Sequence, residues 1–183
     1  MKLTVVHEDL FAAPADALVV SIDGAVPASE PVERVLGNVG RQLVRRFPEQ
    51  NVLDQIESQL DLPLSLGRAQ CFECEGLPYR WLALVSTLHH TGAHDDREKL
   101  ALVARAFSAA LASASRAGAR SVRTTVLQGG WRLSAVEAFG AMLSALDDRV
   151  ELDLVTVCCL DAGLAESLAA HARSVGFRAL TFG

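Results

Sequence analysis

Apolar and polar positions along this chain follow two periods, two and about three and a half, and the switches between them predict its elements. Leu3-Thr-Val-Val-His7 is strand-like and is closed by Glu8-Asp9 ahead of Leu10-Phe11. Ala17-Leu-Val-Val-Ser-Ile22 is apolar at almost every position, with Pro14 and Asp16 as turn residues before it and Asp23-Gly24 after it. A run without a polar face belongs in the middle of a sheet. From Ser29 to about Phe47 the period becomes helical, carried by Val32, Val35, Leu36, Val39, Leu43 and Val44, with Gly37 and Gly40 as marks of tight packing or of a break. A short helix follows over Asn51 to Leu60. Arg68 to Glu75 alternates as an edge strand does and pairs, through Gly76-Leu-Pro78, with the apolar strand Arg80 to Thr87.

Beyond this point strands and helices simply alternate. Leu88 to Asp96 is polar and reads as a loop, after which Asp95 or Asp96 caps a helix running to about Ala117. Ser121-Val-Arg-Thr-Thr-Val-Leu127 is a strand, Gln128-Gly-Gly-Trp131 a turn, and Ser134 the cap of a helix to about Leu146. Glu151 to Leu160 is a buried strand. Asp161 caps a helix ending near Val175-Gly176, and Phe177 to Phe182 is the last strand. Such a βαβαβαβ order requires a largely parallel sheet with helices on both faces, because each parallel return needs a crossover.

With 183 residues the chain suits one domain, 1–183, with a core large enough to stand without staples. The formal charge of −5 and the scatter of Lys and Arg leave no basic footprint for extended nucleic-acid contact. No apolar run reaches the roughly 20 residues of a membrane helix, and Met1-Lys2 leads into an alternating strand. A soluble, cytoplasmic protein without membrane contact is expected. Cys158 and Cys159 are neighbours on a strand and point to opposite faces, while Cys71 and Cys74 have the spacing of half a zinc knuckle with no second half. All four read as buried free thiols.

The order of elements and several of these residues resemble a macro domain, the ADP-ribose-binding α/β/α module. The resemblance runs through His7-Glu-Asp-Leu10, where the family has Gly-Asp-Ile or similar, and Asp16-Ala-Leu-Val-Val20, similar to the family's Asp-Ala-Ile-Val-Asn. It resumes at Trp81 to Thr87 and at Gln128-Gly-Gly-Trp131. It implies a three-layer α/β/α sandwich with a mixed, largely parallel central sheet of six or seven strands. After the second strand the family usually shows Asn-Ala-Ala-Asn and a glycine-rich Gly-Gly-Gly-Val segment; here the chain reads Ser21-Ile-Asp-Gly-Ala-Val26. The macro-like amino-terminal domain of leucine aminopeptidases is also similar.

The site expected from these two lines of reading has three parts. Asp9 and Leu10 end the first strand, and Asp9 matches the family position that accepts a hydrogen bond from an adenine amino group. Ser21, Asp23 and Gly24 end the second, where open α/β sheets place ligands. Gln128, Gly129, Gly130, Trp131 and Arg132 form a glycine corner that admits a diphosphate, with Trp131 stacking on a base or ribose and Arg132 neutralising charge. His89, His90 and His94 with Asp95 or Asp96 lack the spacing of a zinc site; one of these histidines is a candidate polar contact at the pocket mouth. No cofactor or metal is implied, and no Gly-x-Ser-x-Gly elbow supports a covalent route. The leading expectation is a binding module for ADP-ribose or a related nucleotide derivative, or for an ADP-ribosylated protein. A macro-like scaffold engaged in protein association, with a protein partner or its own copies, is the alternative. A weak ADP-ribosyl hydrolase using Asp23 or a loop histidine is the third.

Overall fold

A computed structural model describes residues 1–87, 94–128, 132–146 and 150–177, together with the backbone of 179–182. In chain order the strands are β1 (Lys2–His7), β2 (Ala15–Ile22), β3 (Ala69–Glu73), β4 (Tyr79–Ser86), β5 (Ser121–Thr124), β6 (Leu154–Cys159) and β7 (Ala179–Phe182). The helices are α1 (Val32–Val35), α2 (Asn38–Arg46), α3 (Val52–Gln59), α4 (Asp96–Arg116), α5 (Ala135–Ser144) and α6 (Ala162–Ser174). The strands form one sheet in the order β3-β4-β2-β5-β6-β1-β7. Every pairing is parallel except that of β3 with β4. The expected mixed, largely parallel sheet has seven strands, with the apolar β2 inside it and the alternating β3 at one edge.

Two-residue periodicity sorts the strands' side chains between two cores. Val5, Ala17, Val19, Ala83, Val122 and Val157 join Val103, Phe107, Leu111, Phe139 and Leu168 of α4, α5 and α6 on one face. Leu18, Val20, Ile22, Leu82 and Leu84 meet Val32, Val35, Leu43, Val52 and Ile56 of α1, α2 and α3 on the other. β1, β2, β3, β4 and β6 feed both layers because neighbouring side chains point to opposite faces. No helix among the described residues is long and apolar enough to cross a membrane.

Local capping sets the helix starts. Asp95 accepts from Glu98 N–H at 2.8 Å while Glu98 Oε2 accepts from Asp95 N–H at 3.2 Å, a reciprocal box that starts α4. Ser134 and Asp161 cap α5 and α6 through the N–H groups of Glu137 and Leu164.

The helix expected over Ser29 to Phe47 is instead two helices. Between α1 and α2, Leu36 is extended (φ −67°, ψ 124°) and bridges Ile22, and Asp23 N–H donates to Val35 O at 2.9 Å. Pairing with the end of β2 wins over the helical period. Gly40 turns tightly against that extended residue: a Cβ there would lie 3.0 Å from the Leu36 side chain. The strand expected over Ser121 to Leu127 ends earlier, at Thr124, and its remaining residues leave the sheet to form part of the site.

Candidate functional site

Parallel pairing brings the carboxyl ends of β1, β2, β5 and β6 to one rim of the sheet. From β2 the chain leaves toward β3 and β4, and from β5 it leaves toward β6, so a crevice opens at this reversal. A cleft of about 550 Å³ lies there. Glu8, Asp9, Leu10 and Phe11 line it after β1, Ser21 and Asp23 at the end of β2, Thr125, Val126 and Gln128 after β5, and Cys158 to Leu160 from β6. Its remaining wall is the α1–α2 break, Arg34 to Val39 then Arg41 and Gln42, together with Leu164 of α6.

Of the residues expected from the sequence, Asp9, Leu10, Ser21, Asp23 and Gln128 meet in this cleft. Gly24 and Arg132 are not on its described wall. Gly24 is packed beneath the end of β2, where an added Cβ would lie 2.8 Å from Leu64 Cβ and 2.9 Å from Leu64 O. Arg132 is exposed and carries a left-handed backbone (φ 57°), uncommon for a residue with a side chain. Gln128 Nε2 donates to Leu133 O at 2.8 Å and so ties the two ends of its turn. Gly129, Gly130 and Trp131 lie outside the described residues, as do His89 and His90. His94 Nδ1 is 3.3 Å from Glu98 Oε2, at the start of α4. Among the described residues no group of three or more His, Cys, Asp or Glu side chains is placed to hold a metal ion.

The loop after β1 is held from below by a buried cation. Arg123 of β5, with only 7% of its side chain exposed, donates from Nε to Leu10 O at 3.0 Å and from Nη2 to Asp9 O at 3.1 Å. The same Nη2 meets Glu8 Oε2 at 2.7 Å. Tyr79 Oη, from β4, donates to Leu10 O at 3.1 Å and lies 3.3 Å from Ala13 O. Burial pushes the Tyr79 phenol up to about 12 against the pull of the Arg123 cation, so it stays a donor at neutral pH. Asp9 helps to shape this loop, Oδ1 accepting from Phe11 N–H and Oδ2 from Arg46, each at 2.9 Å, while its side chain stays 38% exposed. Sequence reasoning missed Arg123 and Glu8. The only trace was an arginine within an otherwise apolar and β-branched strand, which alternation alone does not distinguish from a solvated one.

The opposite wall is built from backbone. The first turn of α2 has no acidic residue, and Gly37 supplies no side-chain cap, which leaves the first N–H groups of the helix without partners inside it. Gly37, Asn38 and Val39 all line the cleft. This end of the hollow therefore favours an anion. Cys158 and Cys159 stand at the end of β6, on the cleft wall, yet both are buried. Burial pushes their thiols up to about 12 and about 11, the first against the pull of Arg123. They are protonated at neutral pH and are poor nucleophiles.

The chain matches a point mutant of the Oceanobacillus iheyensis macrodomain with a TM-score of 0.74 over 93% of this chain and 90% of the other, at 14% identity. The fold is that of a macrodomain. The macrodomain of Mycobacterium tuberculosis DarG matches with a TM-score of 0.60 over 85% of this chain and 96% of its own, at 17% identity. An alphavirus P23pro-zbd protein matches over 98% of this chain (TM-score 0.69, 21% identity), although that covers only 25% of the viral chain. Another Oceanobacillus iheyensis macrodomain mutant, solved with ADPR, matches with a TM-score of 0.64 at 14% identity, over 93% of this chain and 91% of its own. At these identities the likeness to macrodomains is one of fold. Neither a protein-family model nor a curated protein sequence matches the chain.

Proposed function

We propose that the cleft binds ADP-ribose or a closely related nucleotide derivative, free or attached to a protein. The observation that carries this reading is the polarity of the cleft. Where α2 meets the end of β2, uncapped N–H groups and Arg41 suit a diphosphate. Where β1 adjoins β6, the apolar residues Leu10, Phe11, Leu160 and Leu164 suit the flat face of a base, and carboxylates stand beside them. Leu160 is 77% exposed at this rim and gains an apolar partner when a base covers it. The volume lies within the usual range for small-molecule sites. The macrodomain fold and the ADPR bound to one structural neighbour agree with the assignment.

Thermal unfolding with and without ADP-ribose tests it. At a ligand concentration of 100 times Kd, linkage adds about 2.7 kcal/mol, which for a domain of this size raises the midpoint by about 5–10 °C. No shift at millimolar ADP-ribose refutes the binding reading and leaves a scaffold for protein association. Where binding is found, release of ADP-ribose from a modified protein, followed over time, separates a binder from a hydrolase.

A further inference from the structure

In a chain whose net charge is −5, Arg34, Arg41, Arg45 and Arg46 stand exposed along α1 and α2, and α2 contains no acidic residue. Two of these arginines have carboxylate partners: Arg34 meets Glu30 at 3.3 Å and Arg46 meets Asp9 at 2.9 Å. The other two have none among the described residues. Arg41 donates from Nε to Leu36 O at 2.9 Å, which fixes the side chain and leaves Nη1 and Nη2 open, and Arg45 makes no hydrogen bond or ion pair with the described residues. They lie one helical turn apart on one face, where like charges repel. The helix dipole favours a cation at Arg45, in the last turn of α2, but not at Arg41 in its middle. α2 starts at the end of β2, where the diphosphate is placed, and ends with Arg46 on Asp9, beside the apolar residues assigned to the base. Arg41 and Gln42 line the cleft between these ends. In a nucleoside diphosphate that middle position belongs to the sugar joining base to diphosphate.

We propose that Arg41 and Arg45 form a subsite for a phosphate on that sugar, so that the cleft takes the 2′-phosphorylated form of ADP-ribose in preference to ADP-ribose itself. The proposal rests on the nucleotide reading given above. A phosphomonoester brings close to two negative charges and three acceptor oxygens at neutral pH. Two guanidiniums with open donors match it through charge-assisted hydrogen bonds, and the bound phosphate relieves the repulsion between them. An arginine beside the ribose serves the same purpose in dinucleotide sites that accept a 2′-phosphate. The carboxylates at this end of the cleft do not cancel the attraction, because Arg123 balances Glu8 and Arg46 balances Asp9. Gln42, exposed on the cleft wall next to Arg41, adds an amide donor for the sugar.

The experiment compares ADP-ribose with 2′-phospho-ADP-ribose by calorimetry on the wild-type chain and on Arg45→Gln and Arg173→Gln. Arg173 is exposed near the end of α6 and is not on the cleft wall, so its replacement removes the same charge elsewhere. The wild type should bind the phosphorylated ligand about tenfold more tightly at low ionic strength, the worth of hydrogen bonds between charged groups, and the advantage should shrink as salt is added. Arg45→Gln should bring the two affinities within about twofold of each other, and Arg173→Gln should keep the wild-type ratio. Equal wild-type affinities, or weaker binding of the phosphorylated form, overturn the proposal without any variant having to fold. So does a preference that survives Arg45→Gln, or one lost equally in Arg173→Gln, which traces it to net charge alone. Binding of neither nucleotide to the wild type refutes the nucleotide reading and this subsite with it, whereas binding of both without discrimination refutes only the subsite.

Discussion

Replacing Arg123 by Met keeps most of the buried aliphatic volume and removes three hydrogen bonds, to Leu10 O, Asp9 O and Glu8 Oε2. Breaking a fully buried ion pair costs about 3–5 kcal/mol. Here the loss is smaller, because each abandoned acceptor keeps a partner. Glu8 is open to water in the cleft, Asp9 O still accepts from Ala12 N–H at 3.1 Å, and Leu10 O still accepts from Tyr79 Oη. We therefore expect a cost of about 2–3 kcal/mol, within the 5–15 kcal/mol that holds a domain together. Tyr79→Phe alone should cost about 1 kcal/mol, since Arg123 Nε continues to serve Leu10 O. In the double variant that buried carbonyl loses both partners, so its loss of stability should exceed the sum of the two single losses by about 1 kcal/mol. Urea unfolding of the four proteins in the cycle, with equal m-values, measures this coupling. Additivity within about 0.3 kcal/mol would refute the argument that the guanidinium and the phenol share one carbonyl and hold the loop jointly.

Other positions give independent tests. Gly24→Ala drives a Cβ to 2.8 Å from Leu64 Cβ and 2.9 Å from Leu64 O, whose residue also donates its N–H to Gly24 O at 2.7 Å; thermal unfolding should show a loss of about 1–3 kcal/mol. Burial raises the Asp16 carboxyl pKa, but the hydrogen bonds from Arg120 N–H, Ser121 N–H and Ser121 Oγ outweigh it and hold it below the ordinary value. Its contribution to stability is therefore present above about pH 4 and is lost as pH falls through the folded-state pKa; the stability gap between wild type and Asp16→Asn should be open at pH 6 and should narrow as the pH is lowered below about 4. With thiols pushed up to about 12 at Cys74 and Cys158 and about 11 at Cys71 and Cys159, iodoacetamide at pH 8 should modify native protein slowly and all four sites rapidly in urea; rapid native labelling at Cys158 would contradict its placement.

The parts of the fold legible in the sequence are those decided by neighbours along the chain. Asp95 with Glu98, Ser134 with Glu137 and Asp161 with Leu164 each satisfy helix N–H groups within three residues, and each helix starts where that local chemistry places it. The apolar run of β2 marks a strand with neighbours on both sides, and the alternation around Phe72 marks an edge. Gly37 and Gly40 marked tight packing or a break, but the extended residue at Leu36 was not legible, because its cause lies elsewhere in the chain. The residues on both sides of it still point into one core, so the helical period continues across an extended residue that pairs with Ile22. Arg123 was hidden for a similar reason: its partners Glu8, Asp9 and Leu10 lie more than a hundred residues earlier.

The same break gives the cleft its chemistry. A helix continuing from α1 through residues 36 and 37 would bury the N–H groups of Asn38 and Val39 in its own ladder and leave the hollow walled by side chains alone. Ending α1 and starting α2 afresh presents a helix start without acidic residues to the end of β2, while α2 runs on until Arg46 reaches Asp9. One helix thus offers backbone donors to the cleft at its beginning and braces the carboxylate-bearing loop at its end. Arg46 also lies 5.8 Å from the centre of the Phe11 ring, which joins that cleft residue to the same brace. A ligand bound as proposed would meet backbone donors at one end of the cleft and carboxylate acceptors at the other.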